Sequence, residues 1–178
     1  MTTTRMHMAV MVGCSMVLLG GHAGAWAETG TAALEGTTPD SSVRGSATLT
    51  DTPEGLQVAV TVGGVSSGQH AWHIHQFGSC AEAGSAAGGH YNPDGVTHGF
   101  LPKDGLTAAH PGDLGNLDVG PDGSGASTVT LPGVTLSSGP YAVAGRAIIL
   151  HEKVDDFGQP TGNAGSRIGC GVIVITGK

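Results

Sequence analysis

From Thr31 onward, apolar and polar residues alternate in short runs separated by turn-forming residues. Ala32–Gly36, Val43–Thr50 and Leu56–Val62 combine this alternation with β-branched side chains, the pattern of half-buried strands. Thr38-Pro39-Asp40 and Asp51-Thr52-Pro53-Glu54-Gly55 separate them as turns. Gly63-Gly64 closes the third run, and a fourth extends from Gln69 to Phe77. Strand character then disappears for about 35 residues after Gly78. A connection of that length is uncommon inside a compact domain unless it is functional or disordered. Alternation resumes at Leu114–Val119 and, after the Pro121-Asp122-Gly123 turn, at Ala126–Leu131. Tyr141–His151 reads as one long strand, Glu152–Ile168 as a second irregular loop, and Cys170–Thr176 as the last strand. Eight strands without helical periodicity predict an all-β fold, an eight-stranded antiparallel Greek-key sandwich or flattened barrel carrying two long functional loops.

Composition agrees. The chain has 32 glycines and only 4% aromatic residues, which suits many turns and short strands. Glycine does not recur at every third position, so collagen is excluded. At 178 residues the chain is long enough for one domain with a full core.

The N-terminus follows other rules. Arg5 and His7 precede an apolar run, Met8–Gly20, that is short for a bilayer span and leads to Ala25-Trp26-Ala27, an A-x-A cleavage pattern. Residues 1–27 therefore read as a secretory signal peptide and 28–178 as the mature domain, exported to the periplasm or the extracellular space. An uncleaved anchor is the alternative. Lipoprotein cleavage before Cys14 is disfavoured because the apolar run continues through Val17-Leu18-Leu19. Cleavage leaves two cysteines, Cys80 and Cys170, and an even pair in an oxidising compartment reads as a disulfide. Losing Arg5 also takes the formal charge from −7 to −8. That acidity argues against nucleic acid or an anionic membrane as partner. It also means that an anionic substrate must be attracted by local positive charge.

Histidine carries the candidate chemistry. His73 and His75, two apart in a run of β-formers, share one face of a strand, with Trp72 and Ile74 on the other. Alone, such a pair is a weak signal, and chance or a solvated strand face explains most of them. Of nine histidines, however, the seven outside the signal segment all fall between His70 and His151. His90, His98, His110 and Asp113 offer three nitrogens and a carboxylate, a set suited to tetrahedral Zn²⁺. His73, His75, His90 and His151 offer four nitrogens, a tetragonal set suited to Cu²⁺.

Five ordered blocks then match one family: His73-Ile74-His75-Gln76-Phe77-Gly78, Gly89-His90-Tyr91-Asn92-Pro93, Gly112-Asp113-Leu114-Gly115-Asn116, His151-Glu152-Lys153-Val154-Asp155-Asp156, and Gly162-Asn163-Ala164-Gly165-Ser166-Arg167-Ile168-Gly169-Cys170-Gly171. Across nearly all of the mature sequence the chain resembles the copper–zinc superoxide dismutases. The resemblance implies copper on His73, His75, His90 and His151, and zinc on His90, His98, His110 and Asp113, one of each ion per subunit. It implies a bridging imidazolate at His90, a carboxylate at Asp155 orienting His73 and His98, a Cys80–Cys170 disulfide, and Arg167 beside the copper to attract superoxide. The implied activity is antioxidant disproportionation of superoxide, with no membrane contact after signal cleavage; a homodimer is allowed. His70 is left over and is expected to brace backbone. The loop Asp156–Thr161 is shorter than in animal cytosolic relatives and lacks their lysine and acidic residues, so guidance of the anion is expected to rest on the copper and Arg167. The rival readings are a non-catalytic copper or zinc module, such as a chaperone or metal buffer, and a copper-only dismutase. The complete residue set disfavours both.

Overall fold

The computed structural model describes residues 1–2 and 27–178. The expected signal peptide thus lies almost wholly outside the described residues. Nine strands follow in order: β1 Thr29–Gly36, β2 Arg44–Thr52, β3 Gly55–Gly63, β4 Gly68–His75, β5 Asp113–Val119, β6 Gly125–Leu131, β7 Ala147–His151, β8 Arg167–Val172 and β9 Val174–Gly177. Their pairing order is β2-β3-β6-β5-β4-β7-β8-β1-β9, and β1 also pairs with β2, which closes the sheet into an eight-stranded antiparallel barrel with β9 as an extra strand on β1. The β3–β4 connection passes over β6 and β5, and the β6–β7 connection passes over β5 and β4, giving the expected Greek-key crossings.

Alternation decides which side chains fill the barrel. Leu34, Ala47, Leu49, Val58, Val60, Trp72, Ile74, Leu117, Ile148 and Leu150 belong to one buried cluster. A separate small core, Ala87, Ala147, Ile149 and Cys170, lies on the other face of β7 and β8. β7 is therefore buried on both sides, which is why its sequence, Ala-Ile-Ile-Leu-His, is apolar without alternation. The Cys80–Cys170 disulfide is present, with Cα atoms 5.7 Å apart, and pins the first long loop to β8. Closing a loop of 90 residues contributes about 4–5 kcal/mol in the chain-entropy account.

Three local expectations change. The Tyr141–His151 run is a strand only from Ala147. Before it, Val143 and Ala144 donate to the Leu136 carbonyl and Arg146 to that of Val143, folding the segment into turns. The expected final strand, Cys170–Thr176, begins earlier and divides into β8 and β9 at Ile173, whose N–H donates to the Arg146 carbonyl at 2.8 Å. A single α-turn, Leu101–Asp104, and a 3₁₀ turn, Ser85–Ala87, sit in the first long loop. Neither is long enough to imprint a 3.6-residue period on the sequence. Among the described residues no helix is long and apolar enough to cross a membrane.

Because Ile148 is fully buried in the main cluster, Ile148→Ala is expected to cost about 2–5 kcal/mol in urea unfolding of the metal-free protein.

Candidate metal centre

The site is built on the outer face of β4 and β7. With Trp72 and Ile74 turned into the barrel, His73 and His75 face outward, and the β4–β7 register, His73 opposite Ile149 and His75 opposite Ala147, brings His151 to the same face. The first long loop returns to this strand. A backbone bridge joins His75 to His90, the Tyr91 N–H donates to the Ile74 carbonyl, and the Ile74 N–H donates to the Gly112 carbonyl. These bonds place His90, and Asp113 just beyond Gly112, against the outer face of β4, which the loop buries. His98 and His110 come from the same loop and converge on Asp113. All seven side chains are buried.

Hydrogen bonds determine which ring atom each histidine has to offer. His75 uses Nδ1 on the Gly88 carbonyl at 3.0 Å, leaving Nε2 only 3.4 Å from Nε2 of His151. Nδ1 of His151 faces the Gly165 carbonyl at 3.4 Å. His73 is turned the other way. Its Nε2 meets Asp155 at 2.8 Å, and its Nδ1 is buried with no partner. His90 directs Nδ1 toward Asp113 Oδ1 at 3.0 Å, so its Nε2 is the atom left for the other histidines. His98 contacts both carboxylates, with Nε2 2.9 Å from Asp155 and Nδ1 2.9 Å from Asp113. The second pair is close but not aligned as donor and acceptor, leaving His98 Nδ1 without a hydrogen bond. Two buried acceptor-type atoms so close and unaligned fit a shared cation between them.

The side chains therefore form two sets, each with ligand atoms within 4.8 Å of one another: His73, His75, His90 and His151, and His90, His98, His110 and Asp113. His90 belongs to both. An all-imidazole set suits copper, and a set of three imidazoles with one carboxylate suits zinc. The orphaned Nδ1 atoms of His73 and His98 fall one in each set, so the residues fit both ions. Asp155 joins the sets from behind, and its main chain is held in both directions by Asn116, which donates to its carbonyl at 3.0 Å and accepts its N–H at 2.7 Å. Gly162 is required at this point: its φ is +75°, and a Cβ would lie 1.9 Å from Asp155 Oδ1 and 2.8 Å from His98 Nε2.

Electrostatics prepare the rings for ligation. Burial holds His75 down to about 2 and His151 to about 3. Burial also lowers His90, to about 4, against the opposing hydrogen bond to Asp113. These rings are neutral at pH 7 and have lone pairs to give. His98 goes the other way: burial alone would depress it, but the adjacent Asp113 carboxylate and the hydrogen-bonded Asp155 carboxylate outweigh burial and raise it to about 9 in the metal-free protein. Burial disfavours the charge on Asp113, but hydrogen bonds from His110 and His90, with the His98 ring close by, keep its carboxyl far below the ordinary range.

An open cavity of about 460 Å³ leads to the four-histidine set, with His75, His90, His151, Lys153, Asn163 and Arg167 among its lining. Arg167 donates to the Gly84 and Gly88 carbonyls at 2.5 and 2.6 Å. Gly88 O thus serves both Arg167 and His75, on the loop that the disulfide fixes. Lys153 is the residue that sequence reasoning missed. It stands outside the shortened loop where a guiding lysine was sought, and only the fold turns it into the cavity wall, so Arg167 is not the sole positive side chain there. His70 is a brace, as expected: its Nδ1 lies 2.9 Å from the His151 carbonyl and its Nε2 2.9 Å from that of Ser66.

Residues 43–173 match the family model for copper/zinc superoxide dismutase. Superoxide dismutase [Cu-Zn] 2 of Brassica juncea is 40% identical over 127 residues, covering 67% of this chain and 81% of that protein. The crystal structure of the clock protein EA4 superposes with a TM-score of 0.74 at 32% identity, covering 87% of this chain and 99% of the other. The chain belongs to the copper/zinc superoxide dismutase family.

The histidine shifts set the pH response of the metal-free protein. For the lowered rings of His75, His90 and His151, stability is complete above the unfolded value of 6.5 and is lost as pH falls toward about 4. For His98, stability is complete below 6.5 and is lost as pH rises toward about 9. The thermal midpoint of the metal-free protein is therefore expected to peak near pH 6.5 and fall on both sides, as measured by circular dichroism; a monotonic profile would contradict the assignment.

Proposed function

We propose that this chain is an antioxidant enzyme that disproportionates superoxide to dioxygen and hydrogen peroxide, at a copper site joined through His90 to a zinc site. The observation that carries the reading is the position of His90, a single buried ring that belongs to both donor sets and has Nδ1 toward Asp113, leaving Nε2 to offer elsewhere. Copper held by His73, His75, His90 and His151 supplies one-electron redox chemistry, while zinc held by His90, His98, His110 and Asp113 supplies charge and order but no redox step.

The protein's own residues do the rest. Cations held in both sets would favour loss of the second proton of the ring they share, so His90 would carry an imidazolate when both are bound. In the half-reaction that releases dioxygen, His90 Nε2 takes up a proton. In the half-reaction that reduces the second superoxide, the same atom gives that proton to the departing peroxide, and water supplies the other. The backbone bridge from His90 to His75, with the Tyr91 N–H on the Ile74 carbonyl, keeps the ring from swinging away between the two events. Asp155 fixes His73 with Nδ1 forward, and the Gly88 and Gly165 carbonyls fix His75 and His151 with Nε2 forward. Arg167 and Lys153 give a net-negative protein a local positive field at the cavity, which raises the encounter rate of an anion. The A-x-A signal and the Cys80–Cys170 disulfide support export to the periplasm or extracellular space.

In metal-reconstituted protein, His151→Ala is expected to lose copper occupancy and to lower superoxide disproportionation by on the order of a hundredfold or more. Full activity in that variant would sink the ligand assignment, and metal analysis showing copper without zinc would favour a copper-only enzyme. Lys153→Ala is expected to lower kcat/KM about several-fold at low ionic strength and to flatten its dependence on salt, leaving metal content unchanged. An unaltered salt profile would return the guidance to Arg167 alone.

A further inference from the structure

The loop after Asp155 lacks the charged residues sought there by sequence, but it is not an idle connection. Its backbone is tied to itself: the Asp156 carboxylate accepts from the Gly158 N–H at 2.8 Å and from the Asn163 amide at 3.0 and 3.2 Å, and the Gly162 N–H donates to the Gly158 carbonyl at 2.6 Å. Out of this folded loop Gln159 reaches across to the other long loop. Its Oε1 accepts the His98 N–H at 3.0 Å, and its Nε2 donates to the His98 carbonyl at 2.8 Å. One carboxamide thus satisfies both main-chain groups of His98, as a neighbouring strand would. Phe157, two residues earlier, donates its N–H to Asp155 at 2.8 Å and stacks its ring on that of His98, with centroids 6.3 Å apart at 22°.

We propose that Gln159 is a positioning residue for zinc: it clamps the main chain of His98 so that the zinc set is preformed before the ion arrives, and it slows release of the ion afterwards. The proposal rests on the reading of His98 as a zinc ligand. The other three members of that set do not need such a clamp. Asp113 begins β5, His90 bridges to β4, and the His110 N–H is held by Asp113 at 2.9 Å. His98 lies between the Asn92–Val96 turn and the short α-turn, and no strand pairs with it. Without Gln159 the backbone keeps the neighbouring Gly99 N–H bond to Asp113 at 2.9 Å, but both main-chain groups of His98 lose their partner. A carboxamide presented by a loop that is already folded loses little freedom when it makes two bonds. Partners that orient metal ligands typically change metal affinity about 10–100-fold, and a clamp on main chain is placed at the lower end of that range.

Gln159 is exposed overall, so substitutions there leave the core intact. Gln159→Met keeps the length and removes both bonds; Gln159→Glu keeps the acceptor for the His98 N–H and removes the donor. Two measurements decide the matter. Zinc transfer from the reconstituted protein to a chromophoric chelator is expected to be about tenfold faster in Gln159→Met and intermediate in Gln159→Glu, with copper content and the urea midpoint of the metal-free protein unchanged. In the metal-free protein, hydrogen exchange at the His98 amide is expected to lose its protection in Gln159→Met and keep it in Gln159→Glu. Wild-type zinc release together with a protected His98 amide in Gln159→Met would overturn the proposal. If wild-type protein takes up no zinc at all, the zinc reading fails, while the His98 exchange result still decides whether the clamp exists.

Discussion

Asp155 is the hinge of the arrangement. Its buried carboxylate accepts from Nε2 of His73 and Nε2 of His98, one ring from each donor set, and from the Phe157 main chain. A buried carboxylate is costly unless fully hydrogen-bonded, and here those bonds also fix which nitrogen each ring has left to offer. Remove it, and both rings are free to turn over, with two unpaired buried nitrogens in place of two aimed lone pairs. Asn116, reaching from β5, holds the Asp155 main chain in both directions, so the orientation of both sets is referred back to the barrel.

The barrel supplies rigidity, and the two long loops supply chemistry. β4 and β7 place three histidines by side-chain alternation and register, which a closed sheet with a filled interior cannot change without flipping every neighbour to the wrong face. The loops have no ladder of their own over most of their length and are held by discrete devices. The disulfide pins the first loop to β8, and Gly88 O then joins His75 to Arg167. The second loop is closed by Asp155, Gly162 and Gln159. The positive charge at the cavity depends on the same devices, because Arg167 is held by the carbonyls of Gly84 and Gly88.

Much of this was legible in the linear chain because periodicity of two is a local property. The eight strand segments, the two loops, the facing of Trp72 and Ile74 away from His73 and His75, and the clustering of histidine all follow from residue order and type. The ligand sets needed more, since His151 and His73 share no local signal; there, five blocks in family order did what spacing could not. The misses are equally physical. Tyr141–Arg146 has strand-forming residues, but its hydrogen bonds go to the Thr135–Leu136 segment instead of a ladder, and Ile173 breaks the last strand by bonding to Arg146.

What residue order determined, then, was the inventory: alternating strands, a pair of cysteines, a set of imidazoles and carboxylates, and a net charge that an anion must overcome. What the tertiary structure alone decided was aim. Which ring nitrogen faces inward depends on carbonyls and carboxylates far away in sequence, Gly88 for His75 and Asp155 for His73. Lys153 joins the cavity wall because the loop after β7 turns back over β4, and Gln159 meets His98 across 61 positions. Hydrogen bonds of that range leave no periodic trace, because each depends on one pair of groups that only the folded barrel brings together.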